Sequence, residues 1–332
     1  MASPNLSEIV TTTMYNRSKQ LANNVSNNNA LLARLDTKGK RKTFSGGRQI
    51  VQELEYGENS TFGWYNGYDA LNISPSDVFT SAVYDIKQAS VAVSISGLEE
   101  LQNAGPEQMI DLLESRINNA ERTFKNQMSS AMYGDGTASG GKAIGGLQLL
   151  VSDAGTGTIG GISATTWSFW RNVVFGGVAD GGVAVSTANI VSYMDRLWLQ
   201  LVRGTDKPDL IITDNTYYRM YMEALQPNQR FTSKDMAQAG FESLKFMSAD
   251  VVFDGGIAPT TSGTGTATTA CPSAHMYFLN TDYIYLRPHA KRQMVPLSPD
   301  RFSTNQDAMV KLWGWAGNMT TSGRKFQGVL KA

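Results

Sequence analysis

Cysteine occurs once in this 332-residue chain, at Cys271, and histidine only at His275 and His289. A lone cysteine excludes an internal disulfide and a cysteine-based zinc site. Neither histidine has a second His or a Glu at metal-ligand spacing. An excess of charge is missing as well: Lys plus Arg is 29, Asp plus Glu is 29, and only 17% of residues are charged. This balance argues against a strongly basic nucleic-acid binder and leaves little repulsion to hold copies apart. No stretch approaches the roughly 18 apolar residues that a membrane span needs. The opening MASPNLSEIV lacks the basic-then-apolar order of a secretory signal. A hydrophobic fraction of 41%, with 10% aromatic, is ample for a core and too apolar for disorder. The expectation is a cytoplasmic, metal-free chain that associates with itself.

Residues 1–43 read as an arm. Leu6, Ile9, Val10 and Met14, and later Leu31, Leu32 and Leu35, have the spacing of short amphipathic helices. The arm ends on Lys38, Lys40, Arg41 and Lys42, which suits either a solvated turn or a contact with a polyanion. From 44 to 96 the pattern is β. Ile50, Gln52, Leu54 and Tyr56 alternate with Val51, Glu53 and Glu55. Phe62, Trp64 and Tyr65 predict the next strand, before an Asn66-Gly67 turn. Such an aromatic hairpin either folds back on its own domain or meets a partner. Val91, Val93 and Ile95 predict another strand.

Residues 106–132 carry the strongest helix signal. Gly105, Pro106 and Glu107 suit its first turn, and Met109, Leu112, Leu113, Ile117, Ala120, Phe124 and Met128 recur at three- and four-residue spacing. At the usual rise this helix spans about 40 Å. Further helices are expected near 165–175, 187–203 and 215–225. Strands are expected at Leu210–Ile212, Val251–Phe253, Met276–Leu279, Tyr283–Leu286 and Asp307–Met319, with a long loop between Asp254 and His275.

Motifs of chemistry are weak. Gly136–Ala143 imitates a phosphate loop but follows a helix and lacks the hydroxyl residue after Lys142. Gly155–Gly160 is a literal GxGxxG, with a candidate strand at Leu147–Val151 before it. Three residues intervene before any helix can begin, so no helix N-terminus faces a pyrophosphate. No GxSxG elbow is present, and Cys271 has no nearby base. No catalytic residue, cofactor or metal is expected.

Several local motifs carry a resemblance. Ser96-Gly97-Leu98-Glu99-Glu100-Leu101 precedes the long helix; Tyr133-Gly134-Asp135-Gly136-Thr137 and Gly145-Gly146-Leu147 follow it. Gly160-Gly161-Ile162, Trp170-Arg171-Asn172 and Asp209–Asp214 with Tyr217-Tyr218 come after. In this order the chain resembles the major capsid proteins of tailed bacteriophages, with coat proteins of podovirus-type Bordetella phages the nearest likeness. The fold implied is α+β, the HK-type (Hong Kong ninety-seven) capsid fold. Its parts would be an N-terminal arm at 1–43 and an extended β-hairpin loop at 44–80. A peripheral domain would span 81–150 and 291–332, with a spine helix at 106–132, and an axial domain would span 151–290.

The resemblance implies a structural protein with no active site, one that assembles as pentamers and hexamers into an icosahedral head around double-stranded DNA. Scaffolding, portal and decoration proteins are implied partners, with no membrane. The implied location is the virion, after assembly in the host cytoplasm. The hairpin would lie over a neighbouring subunit, with Tyr56, Phe62, Trp64, Tyr65, Tyr68, Glu53 and Glu55 as contacts. The arm would reach a second neighbour. Lys38, Lys40, Arg41 and Lys42 would face DNA or an acidic patch on another subunit. Residues 46–76 hold no lysine, which argues against the covalent cross-linking of one family member. An encapsulin-type nanocompartment is the alternative within the fold. A dinucleotide-binding enzyme using 155–160 is the alternative outside it.

Overall fold

The computed structural model describes residues 30–102, 112–225, 243–254, 271–302 and 307–332. At its centre is a six-stranded sheet built from β6 (Val173–Gly176), β7 (Leu210–Thr213), β8 (Ser243–Phe246), β9 (Ala249–Phe253), β10 (His275–Leu279) and β13 (Gly328–Lys331). The order is β6-β13-β10-β7-β9-β8. β6 runs parallel to β13 and β7 parallel to β9; the other pairs are antiparallel. Its strands read as near-continuous apolar runs because both faces are covered. Alternate residues face opposite ways: Ile211, Val251, Met276, Phe278 and Leu330 join one buried cluster, and Leu210, Ile212, Val252, Tyr277, Leu279 and Val329 the other.

Helices α4 (Ile190–Leu201) and α5 (Asn215–Ala224) cover the first face. α4 buries Ile190, Tyr193, Met194, Leu197, Trp198 and Leu201, the three- and four-residue spacing of one helix face. α5 starts where Asp214 caps it, its carboxylate accepting from the Tyr217 N–H at 3.0 Å and from the Ala274 N–H at 2.9 Å.

Four distant segments cover the second face. These are α1 (Ala30–Thr37), the residues after α3 (Leu112–Ala131), the turn at Leu147–Leu150, and Trp170. α1 contributes Ala30, Leu31 and Leu35. Arg324 ties the rest together. It is buried and donates to the Leu150 carbonyl at 2.7 Å, the Trp170 carbonyl at 2.7 Å and the Asn172 side-chain oxygen at 2.7 Å. Burial lowers its pKa to about 10, and among the described residues no acid pairs with it.

A second sheet holds β3 (Lys87–Ser96), β12 (Ala308–Thr321) and β11 (Ile284–Phe302), all antiparallel. α3 packs over β3. β3 turns into α2 (Gly97–Gln102) through a capping box: the Glu99 N–H donates to the Ser96 hydroxyl at 3.3 Å, and the Ser96 N–H donates to the Glu99 carboxylate at 3.1 Å. Arg116 of α3 pairs with Glu99 at 2.9 Å; its hydrogen bonds lower the carboxyl's pKa to about 2.

The glycines after α3 have a steric cause. A Cβ on Gly146 would lie 2.4 Å from the Met132 carbonyl oxygen, because the Leu147 N–H must reach that oxygen at 2.7 Å. Gly136, at φ 83°, lies against Gly145. Asn318 locks the junction, accepting from the Gly145 N–H at 3.0 Å and donating to the Asp85 carbonyl at 2.8 Å.

The structure departs from several expectations. Residues 165–175 hold a short 3-10 turn at Ser168–Trp170 and then β6, not a helix, because Trp170 is drawn inward and its indole N–H donates to the Ile159 carbonyl at 2.9 Å. Residues 147–151 form a helical turn, not a strand. Phe62–Tyr65 are loop, and β1 (Gln49–Glu55) pairs instead with β2 (Phe79–Asp85). The final strand β13 leaves the three-stranded sheet and enters the six-stranded one, where Val329 and Leu330 are buried. The start of the long helix at Gly105–Glu107, residues 1–29 and most of the loop from 254 to 275 lie outside the described residues.

Two substitutions test this frame in denaturant titrations of the purified chain. Gly146→Ala is expected to cost about 1–3 kcal/mol, the usual penalty of overpacking. Arg324→Leu should cost about 3 kcal/mol or more, because it strands several buried acceptors at once.

Candidate assembly interface

β1 and β2 form a two-stranded ribbon in full register from Gln49–Asp85 to Glu55–Phe79. Its inner face, Ile50, Leu54, Ala82 and Tyr84, is buried in the main core. Its outer face exposes Val51, Glu53, Glu55 and Phe79. The ribbon is braced from below by β4 (Thr158–Ile159) and β5 (Ile162–Ser163). Gly160 and Gly161, at φ 61° and 79°, make the tight turn between them. The Val83 N–H donates to the Gly160 carbonyl at 2.9 Å, and a Cβ on Gly160 would meet Ala82 at 2.7 Å. The GxGxxG is therefore a hairpin turn followed by a strand, not a phosphate cradle, which removes the support for the dinucleotide enzyme.

From 57 to 78 the chain has no helix or strand, and 62–75 is exposed throughout. Trp64 is 94% exposed, Ile73 91% and Phe62 79%; Tyr65, Tyr68 and Leu71 are exposed as well. Phe62 and Trp64 pack edge to face at 5.8 Å. Exposed apolar groups gathered on one projection mark an interaction surface. Tyr56 differs: it packs on Phe169 at 5.3 Å and Trp167 at 6.1 Å of its own chain. Leu71, Ile73 and Phe79 belong to the same surface but escaped the sequence reading, because they sit among Asn, Ser, Pro and Asp rather than among aromatics.

The basic run has partners within the chain. Asp209 accepts from Arg34 at 3.1 Å and Lys38 at 3.0 Å. Asp282 pairs with Lys40 at 3.0 Å and Lys38 at 3.5 Å, and Asp36 pairs with Arg41 at 3.4 Å. Lys42 lies over the Tyr285 ring at 4.9 Å. Residues 41–44 then run parallel to β11, bridging Arg41 to Leu286 and Phe44 to His289. The run thus fastens the end of the arm to its own subunit.

A buried polar junction holds the start of α1. The Asp254 carboxyl bonds the Tyr133 hydroxyl and the Ala30 backbone N–H. Burial pushes its pKa up to about 6, against those two hydrogen bonds. The Tyr133 hydroxyl is raised well above its ordinary value by burial and then by Asp254. Cys271 is buried alongside, its thiol pushed up by desolvation. Among the described residues no group of three or more His, Cys, Asp or Glu could hold a metal ion, and no helix is long and apolar enough to cross a membrane.

No protein-family model matches the chain, and no curated protein matches it by sequence. Solved structures do match. The capsid asymmetric unit of cyanophage A-1(L) aligns at TM-score 0.63 and 16% identity, over 99% of this chain and 98% of that one. The capsid of an empty GTA particle aligns at 0.60 and 11%, over 100% and 99%. The holo-SrpI encapsulin complex of Synechococcus elongatus PCC 7942 aligns at 0.55 and 8%, over 98% and 95%. The chain therefore has a mixed helix-and-sheet fold of the HK-type capsid class. The likeness runs the whole length of each chain, and the capsid subunits that share it are structural proteins rather than enzymes.

A raised carboxyl pKa stabilises the fold below the unfolded value near 4 and loses that contribution as pH rises through about 6. Asp254→Asn should therefore remove roughly 1 kcal/mol of the stability difference between pH 5 and pH 7.5, relative to the parent chain. Paired urea titrations at the two pH values measure it.

Proposed function

We propose that this chain is the major capsid protein of a tailed bacteriophage, forming the head shell around double-stranded DNA. The observation that carries the reading is the full-length match to capsid subunits, together with the projecting ribbon whose aromatic side chains its own subunit leaves exposed. On this reading α3 is the spine of a peripheral domain, the six-stranded sheet and its helices form the axial domain, and residues 49–85 are the extended loop. Pentamers and hexamers assemble in the host cytoplasm, and the loops then lock neighbouring subunits together. The finer likeness to podovirus-type Bordetella coat proteins rests on the sequence motifs alone. Scaffolding, portal and decoration proteins are the partners that this reading implies.

Contacts in the shell are many, modest and repeated by symmetry, so affinity per contact need not be high. Glu53, Glu55, Phe62, Trp64, Tyr65 and Tyr68 are contact residues on this reading. Tyr56 steadies the base of the loop, and Lys38, Lys40 and Arg41 hold the arm to its own subunit. A nanocompartment shell is the alternative within the fold, and the comparisons do not favour it: the encapsulin aligns at TM-score 0.55 against 0.63 for the cyanophage capsid. Double-stranded DNA in purified particles separates the two.

Expression of the full chain should give shells visible by negative-stain microscopy. Deletion of 58–66 should leave soluble capsomers that do not form stable shells. Normal shells from the deletion would remove the locking role of the loop.

A further inference from the structure

Asparagine is followed by glycine once in this chain, at Asn66-Gly67. Both residues are exposed and lie in the stretch that has no helix or strand. The Gly67 N–H donates to the side-chain oxygen of Asn66 at 2.9 Å. That contact folds the Asn66 side chain back over the next peptide nitrogen. A five-membered ring between this nitrogen and the side-chain carbonyl carbon needs the same approach. The turn around it is closed at both ends. The Asp69 N–H donates to the Asn66 carbonyl at 2.9 Å, and the Asn66 N–H donates to the Asp69 carboxylate at 2.8 Å. Gly67 has no side chain to shield its nitrogen, and a Cβ there would meet no atom within 4 Å apart from its chain neighbours.

Other asparagines have part of this arrangement. Asn59 and Asn72 are exposed, but they precede Ser60 and Ile73. Their side-chain oxygens accept from amides two residues on, Thr61 at 2.9 Å and Ser74 at 3.1 Å, so neither side chain is held over its own peptide link. Asn318 does accept from the next amide, Met319, at 2.9 Å. It is buried in β12, however, and bonds to Gly145 and Asp85 hold its side chain in place. Exposure, backbone freedom and the folded-back side chain coincide at Asn66.

We infer that Asn66-Gly67 is a site of self-modification, at which the chain converts an amide to a carboxylate without an enzyme. The Gly67 nitrogen, having lost its proton, attacks the Asn66 side-chain carbon. The new carbon–nitrogen bond closes a succinimide, and the side-chain nitrogen leaves as ammonia. Water then opens the ring at either carbonyl, giving aspartate or isoaspartate at position 66. Nothing is oxidised or reduced. Between Gln49 and Asp85 the chain already carries Glu53, Glu55, Glu58, Asp69, Asp77 and Asp85, and no Lys, Arg or His. Conversion adds a seventh acid, facing the Asp69 carboxylate across the turn and set between the exposed Tyr65 and Tyr68. Opening to isoaspartate also moves a methylene into the backbone there. Both changes work against any contact that takes these rings out of water, because a carboxylate is costly to desolvate. Time spent with the tip free is thereby written into its charge.

Peptide mapping of the purified full chain tests the site. Trypsin releases Asn66 within Gln49–Lys87, since no Lys or Arg lies between Arg48 and Lys87. Incubation of the folded chain in mildly alkaline buffer is expected to raise the mass of this peptide by about 1 Da, with fragmentation placing the gain at position 66. The rate should rise with pH, because the nucleophile is the deprotonated nitrogen. Part of the product should accept a methyl group from an isoaspartyl methyltransferase. Gly67→Ala should slow conversion several-fold by crowding the nitrogen, and Asn318 should stay intact. An Asn66 that persists in the folded chain while it converts in the urea-unfolded chain overturns the assignment. Product that is aspartate alone, or an unchanged rate in Gly67→Ala, overturns the ring-closure route.

Discussion

Strands that read Leu210-Ile211-Ile212 and Met276-Tyr277-Phe278-Leu279 put apolar side chains on both faces of one sheet, and water has to be kept from each. α4 and α5 cover one face with side chains from adjacent stretches of chain. The other face is covered by α1, the end of α3, the 147–150 turn and Trp170, which are far apart in sequence. A cover assembled from separate pieces leaves carbonyls and N–H groups at every seam. Arg324, Asn318, Asp254 and Asp209 sit at those seams and satisfy them. The polar interior of this protein is therefore a consequence of how its second layer is pieced together.

The same accounting separates the projecting ribbon from the body. Its inner face belongs to the core, whereas its outer face and tip bury little within the subunit. Apolar rings kept in water by a folded chain are costly unless association removes them from it. Placing all the ribbon's charge in one sign adds direction to that association, since like ribbons repel and only an unlike surface attracts them. Neutral overall charge and strong local charge are compatible here because they sit on different parts of the molecule.

Much of the body was legible in the sequence because its elements have clean periods. The apolar runs at 210–212, 251–253 and 276–279, and the helical spacing from Ile190 to Leu201, need no tertiary information to be read. The glycines at 145–146 were legible as a motif, but their cause, a backbone approach to Met132, lies in three dimensions. Residues 165–175 misled because Trp167, Phe169 and Trp170 look like a helical face and instead serve Tyr56 and the core. The partners of the basic run were hidden for a different reason. Four cations in five residues resemble a site for a polyanion, while the acids that pair with two of them, Asp209 and Asp282, come 171 and 242 residues later. Charge partners distant in sequence leave no local signature.

The position of β13 has a bearing on the order of events during synthesis. It lies inside the six-stranded sheet, between β6 and β10, and not at an edge. Until Gly328–Lys331 have been made, β6 has no neighbour through which to join the other strands, and β10 presents an open edge. A growing chain thus cannot complete its central layer, nor bring Arg324 to the seam it fills. Subunits still on the ribosome lack a finished body on which a neighbour could dock. On the shell reading, late closure keeps translation and assembly apart in time.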